Sequence, residues 1–435
     1  MHTLKQLRSG ALSGARYLKL CEDLTHFPNE ILTLKETLEV LDLTGNRLRE
    51  LPDELAECRR LRIIFCSENA FTRLPEVLGR CPELTMIGFK ANRIAEVPAA
   101  SLPDKLRWLV LTDNRIAELP EQLGACQQLQ KLMLAGNRLQ ALPASLAACQ
   151  RLELIRLSAN RLAVLPDWLL ALPRLSWLAF AGNPCCEPPQ VDNSVLIPWH
   201  TLTPGALLGE GASGRIIAAQ WQQTSGLRPV AVKCFKGQMT SDGLPQNERI
   251  AALAAGRHPG LIELLGEIPD HPEGVASLVM ALIDPAFVTL AGPPSLDSCT
   301  RDVYDPALTL TGAAVVGLAL KIAAVAAHLH RRGILHGDLY AHNILHNGQG
   351  DALLGDFGAA SFYPPDSAQG RALERLEVRA YGCLLDELLA RCHEPAAWHQ
   401  PLLALSQACL QPDPAGRPDF AQILARLQAF DTAVC

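Results

Sequence analysis

Apolar positions in the first 185 residues follow one pattern that returns at a fixed distance. LEVLDLTGNRLRELP (38–52) comes back as LRIIFCSENAFTRLP (61–75), LTMIGFKANRIAEVP (84–98) and LRWLVLTDNRIAELP (106–120). It continues as LQKLMLAGNRLQALP, LELIRLSANRLAVLP and LSWLAFAGNPCCEPP. Each unit predicts one short strand followed by turns, and a unit of this size cannot bury its own leucines, so the units must stack. Stacking places Leu41, Ile64, Ile87, Leu109, Leu132, Ile155 and Leu178 in one buried column. The asparagines at 46, 69, 92, 114, 137, 160 and 183 are spaced by 23 residues with one gap of 22. Each is placed to hydrogen-bond backbone groups of its turn, a structural role. LKLCEDLTHFP (18–28) predicts a degenerate capping unit, and NPCCEPP (183–189) ends the stack.

Period, leucines, asparagine and the closing Leu-Pro together resemble the leucine-rich repeat family. The resemblance implies an α/β solenoid over residues 1–185 whose strand face binds protein. Strand positions expected to face outward are Val40, Ile63, Met86, Trp108, Lys131, Leu154 and Trp177, and then Asp42, Phe65, Gly88, Val110, Met133, Arg156 and Ala179. Trp108, Trp177, Phe65, Met86 and Met133 are the candidate contacts for a partner, or for the chain's own acidic second half. The same side chains would also serve to cover the leucine core. Cys58, Cys81, Cys126 and Cys149 each stand three residues before a unit's first leucine, which fits a buried apolar rung better than a metal or redox device. Arg47, Arg93, Arg115, Arg138 and Arg161 follow the asparagines and, with acidic residues close by, predict a solvated edge.

From residue 186 the repeat is lost and prolines accumulate, predicting a linker over 186–198 and a second domain over 199–435. In LLGEGASGRI (207–216), Gly209, Gly211 and Gly214 form G-x-G-x-x-G. An extended stretch follows instead of a helix, so the glycines join two strands and do not open a dinucleotide-binding unit. RPVAVKCF ends an alternating run on Lys233, and QNERIAAL places Glu248 on a helix, with Glu263 the alternative acid. ILHGDLYAHNIL (334–345) carries Asp338 and Asn343, and Asp356 follows in GDFG. Between them a hairpin turns at Asn347-Gly348.

These elements, in this order, resemble the eukaryotic-type protein kinases, and CLQPDPAGRPDFAQIL (409–424) resembles their last helical segment. The implied fold is an α+β bilobal domain using ATP and Mg²⁺. The resemblance implies that Lys233 holds phosphates, steadied by Glu248, and that Asp338 orients the acceptor hydroxyl. It also implies that Asn343 and Asp356 hold Mg²⁺. Leu208, Ile216, Ala231, Met280 and Leu282 would surround the adenine, with Met280 as gatekeeper.

The sequence departs from that family in four places. Gly337 stands in place of the arginine of H-R-D, and Tyr340 removes a lysine for which His342 is a partial substitute. Only residues 359–376 separate DFG from EVRAYG, and no A-P-E is found. Glu374 or Glu377 is then expected to pair with Arg417 in the missing glutamate's stead. None of these losses touches Lys233, Asp338, Asn343 or Asp356, so an active kinase, with serine or threonine the favoured acceptor, ranks first. A kinase-fold scaffold ranks second and a small-molecule phosphotransferase third.

A net charge of −6, concentrated in the second half, argues against nucleic acid as the main partner. Fourteen cysteines without a signal-like first segment fit reduced thiols in a cytoplasmic protein. The apolar stretch Gly312 to His330 is interrupted by Lys321 and reads as a buried helix, not a membrane span.

Overall fold

The structure is a computed structural model describing residues 2–191, 195–237, 239–392 and 398–434. The chain divides into two compact units. One comprises Met1–Leu175 and Asn183–Cys185; the other comprises Ser176–Gly182 and Cys186–Cys435.

In the first unit, the three-residue strands Val40–Asp42, Ile63–Phe65, Met86–Gly88, Trp108–Val110, Lys131–Met133 and Leu154–Arg156 pair in parallel and in chain order. Tyr17–Lys19 adds the first strand, from the degenerate unit. The Leu-Pro of most units starts a short 3₁₀ turn, as at Asp53–Glu57 and Glu121–Ala125, because proline fixes φ and needs no donor there. Leu41, Ile64, Ile87, Leu109, Leu132 and Ile155 are fully buried. Asparagine side chains tie coil to coil: Asn137 Oδ1 accepts from Ile116 N at 3.0 Å, and its Nδ2 donates to Leu111 O at 2.9 Å. The same pattern recurs at Asn114 and Asn160. Cys58, Cys81, Cys126 and Cys149 are buried, and burial pushes their thiols up to about 11 or 12.

The proposed row of partner contacts needs correction. Met86 and Met133 are buried, and only Phe65 and Trp108 of the named set remain half-buried. Met86 is flanked in register by Ile63 and Trp108, and Met133 by Val110 and Arg156. At strand spacing, side chains in one row cover one another. Lys131 sets its ammonium 4.2 Å from the Trp108 ring centroid. Trp177 is also buried, within the second unit.

The second unit opens with a five-stranded antiparallel sheet in the order Leu264–Ile268, Ser277–Ala281, Gly226–Phe235, Gly214–Gln223, Leu202–Glu210. Its core holds Val230, Val232, Leu265, Ile268 and Val279. Ile197 joins that core, and Ile197 N donates to Glu267 O at 2.8 Å. Residues 195–197 run along the sheet's edge, because Leu196 bridges to Glu267 and Ile197 is buried in the core. Residues 192–194 lie outside the described residues. The helices Gly312–His330, Ala368–Leu389, His399–Leu410 and Phe420–Val434 follow. Gly312–His330 is long and apolar enough to cross a membrane, but most of it is buried inside the unit, packed on Phe420–Val434 and on the strand Ala352–Leu354. The hairpin of Ile344–His346 and Ala352–Leu354 turns through Gly348 at φ +77°.

Candidate active site

The glycine loop joins two antiparallel strands, with Gly209 opposite Ile216 and Glu210 opposite Arg215. Gly211 N donates to Gly214 O at 2.9 Å and closes the turn. A Cβ on Gly214 would stand 2.5 Å from Cys234 O, so strand approach requires that glycine. A Cβ on Gly209 or Gly211 would meet nothing within 4 Å, leaving open space beside the loop.

Lys233 forms an ion pair with Glu248, from the helix Pro245–Ala255. Glu263 instead pairs with Arg228 and Arg257. Burial raises the Glu248 pKa, the Asp356 carboxylate adds to the rise, and Lys233 opposes it. Lys233, Glu248, Asp356, Ile216 and Met280 line one cavity of about 190 Å³, floored by Leu354 and Phe357. Ala231 is buried and faces Met280 across the sheet. Leu208 and Leu282 are exposed and do not line that cavity.

Asp338 and Asn343 are locked together. Asn343 Nδ2 donates to Asp338 Oδ2 and to Asp338 O, each at 2.9 Å. That orientation turns the amide oxygen away from this contact, leaving an oxygen donor of the type magnesium prefers. Asp356 has φ +54° and accepts from Gly358 N at 3.0 Å through Oδ1. Carboxylate and amide oxygens fit Mg²⁺, which binds through one or two protein carboxylates and takes its other ligands from phosphate and water. Among the described residues no group of three or more His, Cys, Asp or Glu is placed to hold a metal ion by itself.

Sequence reasoning passed over the groups that hold the loop. His336 Nε2 meets Gly355 O at 3.0 Å, tying the loop to the residue before Asp356. Asp302, from a stretch without periodicity, binds His342 Nδ1 at 2.7 Å and His342 N at 3.0 Å. Burial opposes charge on His342, but its hydrogen bond to Asp302 and the carboxylates of Asp302, Asp338 and Asp356 outweigh it, so its pKa is raised. His342 Nε2 lies 4.0 Å from Asp338 Oδ2. Because the folded pKa lies above the usual value near 6.5, the stability from this contact is full below that pH and is lost as pH rises through the raised value. Thermal melts from pH 6 to 9 should therefore show a decline that His342→Gln removes; parallel curves would refute the assignment.

Glu377 is buried, pairs with His330 at 2.7 Å and accepts from Gly337 N at 2.8 Å. Burial raises its pKa, but the His330 hydrogen bond, His336 and the Gly337 N–H lower it further than burial lifts it. Glu374 accepts from Tyr363 Oη at 3.0 Å. Both acids are thus engaged elsewhere, which corrects the expected pairing with Arg417. Arg417 is buried and donates to the carbonyls of Gln411, Arg375 and Pro412. Burial and the nearby Arg379 lower its pKa to about 10. Glu377→Ala should cost about 1–3 kcal/mol, the usual penalty for leaving buried hydrogen-bonding groups such as Gly337 N–H without their acceptor. A denaturant melt unchanged by that substitution would contradict the structural role.

A parallel repeat stack and a sheet-plus-helices unit with a Lys–Glu pair beside a DFG aspartate define a repeat solenoid joined to a phosphotransfer-type domain. Residues 202–379 match the family described as protein tyrosine and serine/threonine kinase, and residues 37–58, 104–162 and 127–184 match leucine rich repeats. The chain thus combines leucine rich repeats with a region that matches the protein kinase family. It is 30% identical over 177 residues to CBL-interacting protein kinase 22 of Oryza sativa, covering 38% of each chain. It is 33% identical over 183 residues to the DNA damage-responsive serine/threonine-protein kinase RqkA of Deinococcus radiodurans, covering 40% of this chain and 24% of that one. A third similarity, 30% over 131 residues, is to leucine-rich repeat and calponin homology domain-containing protein 1 of Mus musculus, covering 29% and 18%. The chain thus spans well under half the length of these curated relatives.

Proposed function

We propose that this chain transfers the terminal phosphate of ATP, with Mg²⁺, to serine or threonine of a protein recruited by the repeats. The observation that carries the proposal is the joint placement of Lys233, Glu248 and Asp356 around one cavity. Lys233, braced by Glu248, contacts phosphate oxygens. Asp338, held by Asn343, accepts or orients the hydroxyl proton of the acceptor. Asn343 and Asp356 would hold Mg²⁺, which would supply charge neutralisation for the phosphates. The serine/threonine preference rests on the printed names of related kinases such as RqkA. Cytoplasmic residence is part of the same proposal and rests on the cysteine content.

The segment between DFG and the helix Ala368–Leu389 is very short, which favours a small non-peptide acceptor as the second reading. The test is incubation with ATP and Mg²⁺, followed by intact mass of the chain and of an added generic protein. Added phosphate on either protein supports the kinase. ADP release only when small hydroxyl compounds are supplied supports the second reading, and no turnover supports a scaffold.

A further inference from the structure

The segment Ser176–Gly182, read in the sequence as the last repeat's strand, is counted with the second unit, and its contacts there converge on the catalytic loop. The Trp177 ring lies on the Tyr340 ring, with centroids 4.2 Å apart and planes 9° from parallel. Its Nε1–H donates to Leu339 O at 3.1 Å, so one side chain grips two consecutive loop residues next to Asp338. Tyr340 in turn lies 4.9 Å from the His342 ring, whose Nε2 faces Asp338. Phe180 N donates to Ser361 Oγ at 2.9 Å, and Arg379 donates to Ser176 Oγ at 2.7 Å, so the strand is fixed at both ends. Trp177 is buried and does not line the cavity that holds Lys233 and Asp356.

We infer that Trp177 is a positioning residue for phosphate transfer, setting the placement of Asp338 through Leu339 and through the Tyr340–His342 stack. The inference rests on the kinase proposal above. It assigns Tyr340 a definite role: an aromatic ring at that position gives the tryptophan a surface to stack on. Stacked aromatic pairs are favourable beyond the area they bury, so the pair helps to hold the loop in one placement. Because Trp177 acts at the loop and not at the nucleotide cavity, its loss should lower kcat and leave the KM for ATP alone.

The experiment measures transfer from ATP and Mg²⁺ to dephosphorylated casein, together with amide hydrogen exchange over residues 337–343. Trp177→Ala should lower kcat by about 10²-fold, the scale of a misplacement of roughly 1 Å. KM for ATP should stay within about twofold, because the nucleotide contacts are intact. Trp177→Phe keeps the stack and should recover most of the rate. Tyr340→Leu removes the stack from the other side and should add little to Trp177→Ala, since the two act as one pair. If Trp177→Ala does not fold, Trp177→Phe and Tyr340→Leu decide the matter by the same readouts. Unchanged kcat in these variants of an active wild type would overturn the inference. A wild type without transfer would overturn the kinase proposal instead. In that case, faster exchange confined to 337–343 in the variants would retain Trp177 as the clamp on the loop, and unchanged exchange would refute it.

Discussion

Lys233→Met, Asp338→Asn and Asp356→Ala should each lower phosphate transfer by about 10²–10⁴-fold. The magnitude follows from removing one preorganised charge or one general base from a site where catalysis is positioning and electrostatics. Lys233 and Asp356 line the same cavity, so Lys233→Met in an Asp356→Ala background should cost little more than either alone. Glu248 contacts Lys233 and is expected to act through it. Glu248→Gln should consequently raise the KM for ATP more than it lowers kcat. Transfer by the Lys233→Met and Asp356→Ala double variant at the wild-type rate would show that the measured activity comes from elsewhere.

The second large effect is expected at Gly337. Restoring the family's arginine by Gly337→Arg should damage the protein and not create a phosphate-operated switch. Gly337 has φ +72°, and a Cβ there would lie 2.6 Å from both Ala359 O and Leu178 O. The left-handed conformation alone costs about 1–2 kcal/mol for a residue with a side chain. The collisions are with backbone, which cannot swing aside, so the total should be several kcal/mol, on the scale of severe core substitutions. Gly337→Ala should already show most of this loss, because the clash begins at Cβ. Equal stability of Gly337→Arg and wild type in a urea melt would refute the packing argument.

The same surroundings account for the lack of a conventional activation loop. Ser361 is buried, Tyr363 is buried with its hydroxyl on Glu374, and Ser367 caps the helix Ala368–Leu389 by accepting from Gly370 N. Each hydroxyl between Ala359 and Leu376 has structural work, and a phosphate on Ser361 or Tyr363 would need a buried site opened. Activity is therefore expected to be independent of phosphorylation in this segment. Phosphopeptide mapping of active protein, with full activity retained after phosphatase treatment, is the check.

Much of the fold was legible in the residues because it is repetitive or local. A period of 23 with fixed leucines leaves one economical solution, a stack of short strands, since only stacking removes those leucines from water. The ordered motifs from Gly209 to Arg417 marked the second unit in the same way, each with chemistry tied to spacing. The hairpin at Asn347-Gly348 followed from turn stereochemistry alone.

What the sequence could not decide were matters of distance between residues far apart in the chain. Glu248 was preferred to Glu263 with no motif to fix the choice; the packing of Pro245–Ala255 brings Glu248 to Lys233. Arg417 was expected to pair with Glu374 or Glu377, yet the fold brings its guanidinium to the carbonyls of Gln411, Arg375 and Pro412 while those two acids bind other groups. Trp177 carried the same positional signature as Trp108, an outward strand site, and nothing local distinguished them. The burial of Trp177 on Tyr340, and with it the reason for glycine at 337, is set by chain segments more than 150 residues apart meeting in space. Pattern determines which face of an element is apolar; what covers that face is a property of the folded chain.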